Sequence, residues 1–355
     1  MPLARTRPLA SLTTFGVGGA ADELLHTRSY GEVAELVRSG RFPPQLTAVV
    51  GGGSNLLVSD AGVAGTVLLH RSDRPSGLRR SGEETYWIDA ADDWDLVARD
   101  AAKRGLQGIE TLVGIPGTVG GALVQNIGAY GYELSEVVQR VKVLDLETLE
   151  ILDLSPGECG FAYRNSGFKG CSPPRVLVLD VALRLRVGQR HEARYEELRA
   201  RLELASASGA FYPATVAEEV LNLRRAKSMV FTAGDPETRG AGSFFKNPEV
   251  PVEEFHRLTR QLRLASSDMP HWLRPKGFVR LSAGWLVELA GFHRGFAQGN
   301  VGLCKAHALG IVNRSGEASA SEIRAFARRI QVAVNATSGI LLQPEPVLLG
   351  ASLED

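Results

Sequence analysis

The chain has 355 residues, 44% hydrophobic and 23% charged, and its 40 basic and 40 acidic side chains leave a formal net charge of zero. That length supports two or three domains with ample core burial, and the neutral balance gives no footing for a nucleic-acid partner. Cys159, Cys171 and Cys304 form no CxxC pair, no histidine stands at metal-ligand spacing, and neither a signal-peptide core nor a membrane-length apolar run occurs, so a reduced, cytoplasmic, metal-free protein is expected. Arg5, Arg7, Arg79 and Arg80 are scattered and read as solvated surface.

Near the start, Gly16-x-Gly18-x-x-Ala21 fits a relaxed dinucleotide fingerprint, but no convincing strand precedes it and it is set aside. Leu46 to Val50 is a short β-type run leading directly into Gly51-Gly52-Gly53-Ser54-Asn55, with apolar residues resuming at Leu56 to Val58. This is no Walker loop, because no Gly-Lys-Ser/Thr follows. Thr66 to Leu69 and Trp87 to Ala90 read as strands, and Asp92 or Asp93 can cap a helix running to Arg104 with Gly105 behind it.

Gly114 to Gly131 then combines Gly114, Gly117, Gly120, Gly121, Gly128 and Gly131 with almost no charge. Dense glycine lets main-chain N–H groups approach an anion closely, so a phosphate or pyrophosphate cradle is one reading and a tight packing corner the other. A second glycine cluster at Gly51 favours the cradle. Val137 to Leu146 and Arg175 to Leu185 are long β-rich runs flanking Phe161-Ala-Tyr-Arg-Asn-Ser-Gly-Phe168.

Thr215-Val-Ala-Glu218 reads as a capping box for a helix with Val216, Val220 and Leu223 on one face, ending at Arg224, Arg225 and Lys227. Thr232 to Gly242 is a breaker-rich linker beside a domain boundary. Helical stripes follow at Val252, Phe255, Leu258 and Leu262, and again behind Ser282 with Gly291 closing. Ser319-Ala-Ser-Glu322 opens the clearest helix, and β-type segments are expected at Ile340 to Leu342 and Val347 to Leu349. Alternation of strands and helices points to an α/β or α+β protein.

Seven ordered segments resemble the flavin-dependent UDP-N-acetylenolpyruvoylglucosamine reductases of bacterial cell-wall synthesis, the MurB family. They are Thr14-Phe-Gly16, GGGSN at Gly51, the run at Gly114, FAYRNSGFK at Phe161, AGSFFKNP at Ala241, AGWLVELAG at Ala283 and PEP at Pro344. The resemblance implies an α+β fold: a vanillyl-alcohol-oxidase-type FAD-binding domain of two α+β subdomains plus a separate α+β substrate-binding domain. Boundaries are expected at 1–70 and 71–224 for the FAD subdomains, 225–336 for the UDP-sugar domain, and 337–355 for a returning segment that carries Glu345. It also implies NADPH as co-substrate, UDP-N-acetylglucosamine enolpyruvate as substrate, and a role in peptidoglycan synthesis and so in cell shape and division. No nucleic acid, membrane or metal is implied, and the expected state is a monomer.

Under that resemblance the FAD contacts fall on Gly51, Gly52, Gly53, Ser54, Asn55, Ile115, Pro116, Gly117, Thr118, Gly120, Gly121, Asn126, Gly128, Ala129, Tyr130 and Gly131. Hydride addition to an enolpyruvyl ether places negative charge near its carboxylate, which the planar fork of Arg164 can hold; a surface ion pair is the plainer reading. Ser243 matches the family's proton donor, although its local sequence alone suggests a cap. Glu345 lies between Pro344 and Pro346, which fix its backbone, and by resemblance it assists protonation or stabilises the intermediate with Arg164; a turn residue is the alternative. Lys227, Asn247 and Arg224 are candidate substrate contacts, with Lys227 equally readable as a solvated helix-end residue. Tyr195 is the candidate lid tyrosine of the longer family subtype. Rival readings are another FAD-dependent sugar or hydroxy-acid oxidoreductase of this fold, or a nucleotide-binding module without catalysis.

Overall fold

The computed structural model describes residues 4–5, 8–74, 76–170, 173–188, 191–205 and 211–353. Arg7 and Cys171, singled out above, lie outside them, as does the Arg5 side chain. The chain forms two compact units. One comprises Met1–Pro8, Ala20–Gly53 and Val63–Val230, and the other Leu9–Gly19, Ser54–Gly62 and Phe231–Asp355. This division is not sequential, unlike the boundaries expected from sequence.

The first unit contains a four-stranded sheet in the order Ala4–Arg5, Ala21–Thr27, Val63–His70, Ala48–Val50, parallel except for its first pair. It also contains a five-stranded antiparallel sheet ordered Ile151–Leu154, Val138–Asp145, Val176–Arg184, Thr85–Asp89, Arg79–Arg80. Val176–Arg184 is buried along nearly its whole length because both faces are covered. Leu177 and Leu179 join the core around Val33, Phe42 and Leu68, whereas Val178, Val181 and Leu183 join the core around Trp94 and Val220. Strict alternation would put Val178 and Val181 on opposite faces. A register shift against Lys142 and Val143 adds one residue and re-aims the strand, so both reach the same core.

Helix Trp94–Lys103 buries Trp94, Val97, Ala98, Ala101 and Ala102. The Asp93 side chain accepts from the Leu96 N–H at its start, and Gly105 has φ 72° just past its end. Helix Pro213–Ala226 begins at Pro213, two residues before the expected Thr215 box, and its N-cap is Tyr212. The fixed φ of proline suits the first helical turn, so Thr215 lies inside the helix and caps nothing.

In the second unit, one antiparallel sheet orders Glu249–Pro251, Phe278–Leu281 and His271–Arg274, and another orders Ala297–Gln298, Val301–Leu303 and Ile311–Asn313. Strand Leu56–Val58 pairs in parallel with Val347–Leu349, which is why residues 54–62 belong here and not with the strands around them in sequence. Residues 9–19 join for a similar reason. Phe15 and Val17 are buried in the same core as Phe244, Phe245, Phe292 and Phe326. Each such phenylalanine contributes about 1.5–3 kcal/mol on leaving water.

Helices Val252–Leu262, Ala283–Leu289 and Ala320–Ser338 bury most of the predicted stripes, with Val252 and Leu262 only partly covered. Ser319 and Glu322 form the expected capping box. Ile340 to Leu342, by contrast, belongs to no strand. Leu342 is buried, but its carbonyl accepts from the Gln331 side chain instead of a ladder partner. The Gly16/Gly18 segment precedes strand Ala21–Thr27. A Cβ at Gly18 would lie 2.6 Å from Val58 Cβ, so that glycine serves close packing.

Candidate functional site

Within the first unit, the two glycine segments meet. A Cβ on Gly51 would lie 2.2 Å from Thr118 Oγ1, and one on Gly52 would lie 2.4 Å from Gly117 Cα. Both loops therefore need glycine to approach at all. Gly53 and Gly117 adopt φ 65° and 129°. Among the described residues, the amides of Gly52, Gly53 and Gly117 donate to no acceptor in the chain. Peptide N–H groups without an internal acceptor, gathered on two touching loops, fit an anion such as a dinucleotide diphosphate. By this test the residues present suit FAD.

The remaining expected cradle residues differ in exposure and in their partners within the chain. Ile115 and Pro116 are partly exposed beside Gly117, and Gly121 is exposed. Thr118 caps helix Val119–Gln125, and the Gly120 amide donates to the Ala90 carbonyl at 2.8 Å, which makes Gly120 a packing residue. Asn126 is fully buried with φ 44°; its amide nitrogen donates to Glu133 and the Ala162 carbonyl, and its oxygen accepts from the Ser135 N–H. Gly128–Ala129 pairs with Tyr132–Glu133 across the two-residue turn Tyr130-Gly131, whose φ values are 52° and 87°.

Arg164 sits on this frame. Its guanidinium donates to the Gly128 carbonyl at 2.6 Å and lies 5.1 Å from the Tyr163 ring centroid. A Cβ at Gly128 would come within 2.7 Å of the Tyr132 carbonyl oxygen and 2.8 Å of Arg164 Nη1, so this glycine leaves room for the turn backbone and the arginine together. Arg164 itself has φ 53°, a left-handed conformation that costs about 1–2 kcal/mol for a non-glycine residue. Asn126 holds the preceding Ala162 carbonyl and Ser166 Oγ donates to the Val124 carbonyl at 2.7 Å, which ties the strained loop down on both sides.

The expected substrate contacts of this unit have other partners. Arg224 is buried, donating to the Gly114 and Met229 carbonyls at 3.2 and 2.9 Å, and burial depresses its pKa. It braces the Gly114 turn from beneath. Lys227 forms an ion pair with Glu197. Tyr195 is half-exposed and meets Tyr130 edge-on, with ring centroids 5.6 Å apart. Burial pushes the Tyr130 phenol up to about 12.

In the second unit, Ser243 and Glu345 are brought together through their backbones. The Phe244 N–H donates to the Leu309 carbonyl, and the Glu345 N–H donates to the Phe244 carbonyl, both at 2.8 Å. The Lys246 N–H donates to the Gln343 carbonyl at 2.9 Å, and Phe245 bridges to Pro344. Ser54 and Asn55 belong to this unit. Asn55 Nδ2 donates to the Glu345 carbonyl at 3.3 Å, and the Val347 N–H donates to the Asn55 carbonyl at 2.9 Å. Thr14 Oγ1 reaches both the Ser54 and Gly240 carbonyls. Asn247 anchors the helix beginning at Ala283, whose N–H it accepts at 2.9 Å.

Sequence reasoning missed two features. Ser243 Oγ lies 2.9 Å from His307 Nε2, and a lone histidine in an apolar hairpin loop carries no motif. It also missed a polar group in the first unit, where exposed Arg79 pairs with buried Asp180 and buried His70 meets Thr27 and Asp89. Burial raises the Asp180 carboxyl to about 6 and lowers His70 to about 4. Among the described residues, no His/Cys/Asp/Glu group could hold a metal, and no helix is long and apolar enough to cross a membrane.

Comparison with known proteins places these features in a family. Residues 235–349 match the C-terminal domain of UDP-N-acetylenolpyruvoylglucosamine reductase, and residues 9–155 match an FAD binding domain. The chain is 40% identical to the UDP-N-acetylenolpyruvoylglucosamine reductase of Thermobifida fusca, covering 99% of each chain. It is 38% identical to that of Streptomyces coelicolor, covering 98% of this chain and 90% of the relative. Among solved structures, the reductase MurB from Thermus caldophilus superposes with a TM-score of 0.66 at 26% identity, over 98% of this chain and 99% of that one. With a flavin-domain match, a reductase-domain match and relatives aligned end to end, the chain belongs to the UDP-N-acetylenolpyruvoylglucosamine reductase family.

Proposed function

We propose that this protein reduces the enolpyruvyl ether of UDP-N-acetylglucosamine enolpyruvate to UDP-N-acetylmuramate, a step of peptidoglycan precursor synthesis. The observation that carries the reading is the end-to-end relation to these reductases, 40% identity over 358 residues. The glycine cradle supports it, because Gly52, Gly53 and Gly117 offer unpaired amides to the FAD diphosphate. When bound, FAD supplies hydride taken from NADPH.

The chain's own residues have proposed tasks. Arg164, held by Gly128 and Tyr163, steadies the substrate carboxylate as it gains charge. Ser243 gives a proton to C2 of the reduced ether. Glu345, fixed by Pro344, Pro346 and the Phe244 carbonyl, assists at the same carbon. Asn247 and Lys227 contribute to the UDP end, and Tyr195 closes over it. Arg224 supports the cradle from its buried position. The protein works in the cytoplasm as a monomer.

Anaerobic stopped-flow spectroscopy tests this reading. The purified protein carries a flavin spectrum, bleaches with NADPH and regains its absorbance on addition of the enolpyruvyl UDP-sugar. A protein that binds no FAD on reconstitution, or stays reduced with that sugar, overturns it.

A further inference from the structure

A serine hydroxyl has one hydrogen and two acceptor sites. Its value as a proton donor depends on where that one hydrogen points. Ser243 Oγ is 2.9 Å from His307 Nε2, so the two share a hydrogen bond whose direction the imidazole tautomer sets. With Nε2 bare, Ser243 must donate to His307 and its hydrogen is turned away from any substrate. With Nε2 protonated, His307 donates, Oγ accepts, and the hydroxyl hydrogen is released for another acceptor.

The surrounding fold fixes this pair. His307 lies in the loop between strands Val301–Leu303 and Ile311–Asn313. That loop is closed by the Cys304 N–H to the Gly310 carbonyl at 2.7 Å and the Gly310 N–H to the His307 carbonyl at 3.2 Å. A Cβ on Gly310 would sit 3.1 Å from Cys304 Cβ and 3.5 Å from His307 Cδ2, so the loop is closely packed there. On the serine side, a Cβ at Gly240 would fall 2.4 Å from the Ile311 carbonyl oxygen, and the Phe244 N–H bonds to Leu309. Both backbones are thus pinned on either side of the contact, which makes the side-chain pair a product of the fold and not of chance rotamers.

We propose that His307 is the positioning residue for Ser243: its Nε2–H donates to Ser243 Oγ and aims the hydroxyl hydrogen at the substrate. This rests on the reading of Ser243 as proton donor. In the step, one hydride adds to C3 with its electron pair, the proton moves from Oγ to C2, and the serine oxygen is left as an alkoxide. The retained Nε2–H then stabilises that oxygen through a charge-assisted hydrogen bond until a proton from water restores it. Nothing is oxidised or reduced beyond the established hydride transfer.

The test uses FAD-loaded enzyme and three variants, Ser243→Ala, His307→Phe and His307→Gln, with the two half-reactions followed separately. His307→Phe is expected to slow reoxidation by substrate at least about 100-fold while flavin reduction by NADPH stays within about twofold, the range in which proton-transfer effects act. His307→Gln keeps an N–H donor and is expected to recover at least about tenfold of that loss. In the wild type, 15N NMR of histidine-labelled holoenzyme is expected to show His307 protonated at Nε2, with its shift moving in Ser243→Ala. A bare Nε2, equal rates for the Gln and Phe variants, or equal loss in both half-reactions overturns the proposal; the NMR measurement decides it even where His307→Phe fails to fold. Ser243→Ala reoxidising at the wild-type rate sinks the donor reading itself, whereas a slow Ser243→Ala beside a fast His307→Phe sinks the positioning role alone.

Discussion

The cradle of the first unit and the Ser243 junction of the second are built on opposite plans. The cradle uses main chain from two glycine runs, with side chains such as Asn126 and Arg224 serving as props. The junction uses side chains drawn from distant points, Ser243 and His307 lying 64 residues apart, with main chain as the prop. A cofactor that stays bound needs many modest contacts that do not change, and amides in a rigid loop provide them. A proton transfer needs one group at one atom, which only a side chain in a fixed frame provides. Damage should therefore separate the two: injury to the junction spares flavin and loses chemistry, and injury to the cradle loses flavin.

The largest expected effect comes from Ser243→Ala. It should slow reoxidation by substrate about 10²–10⁴-fold with flavin content and NADPH reduction near normal, measured by anaerobic stopped flow. Equal loss in both half-reactions would erase the contrast. Next is Gly52→Ala, where the new Cβ meets Gly117 Cα at 2.4 Å. Forced movement of that kind costs about 1–3 kcal/mol, so FAD affinity should fall about tenfold or more by fluorescence titration. Unchanged affinity would show that the two loops do not need to touch.

A smaller effect distinguishes conformation from hydrogen bonding at the end of helix Val119–Gln125. Asn126→Gly and Asn126→Ala lose the same bonds to Glu133, Ala162 and Ser135, but only glycine tolerates φ 44° without strain. The glycine variant should be the more stable by about 1 kcal/mol in urea titration. The smallest is a pH effect at Asp180, whose carboxyl is raised to about 6, chiefly by burial. A folded-state pKa above the unfolded value contributes stability that is present at low pH and lost as pH rises through about 6. Asp180→Asn mimics the protonated form, so its Tm relative to wild type should be higher at pH 7.5 than at pH 4. A difference that does not change with pH removes the buried-carboxyl explanation.

Much of the local structure was legible because its cause is local. Asp93 and Gly105 bound one helix and Ser319 with Glu322 open another, since caps act over three or four residues. Thr215 misled because Pro213 already starts its helix. Ile340 to Leu342 misled because apolar β-type residues can be buried against a helix side chain without joining a ladder. The seven family segments carried the candidate site, since glycine loops and the GSFFKN run are contiguous. His307 carried no such signal. It meets Ser243 from the loop between Val301–Leu303 and Ile311–Asn313, 64 residues along the chain.

The sequence by itself determined most of the helices, the two glycine loops and the family, because propensity, capping and motif spacing are short-range properties. Tertiary structure alone decided that residues 9–19 and 54–62 join the C-terminal unit, where Leu56–Val58 finds its partner in Val347–Leu349. It also decided that the strand at Leu179 shifts register to serve two cores, that Arg224 is buried under the Gly114 turn, and that Ser243 faces a histidine. Each is a pairing between segments far apart in the chain. Such pairings are selected by which buried surfaces and hydrogen bonds can be satisfied together, and no window of sequence contains both sides of that choice.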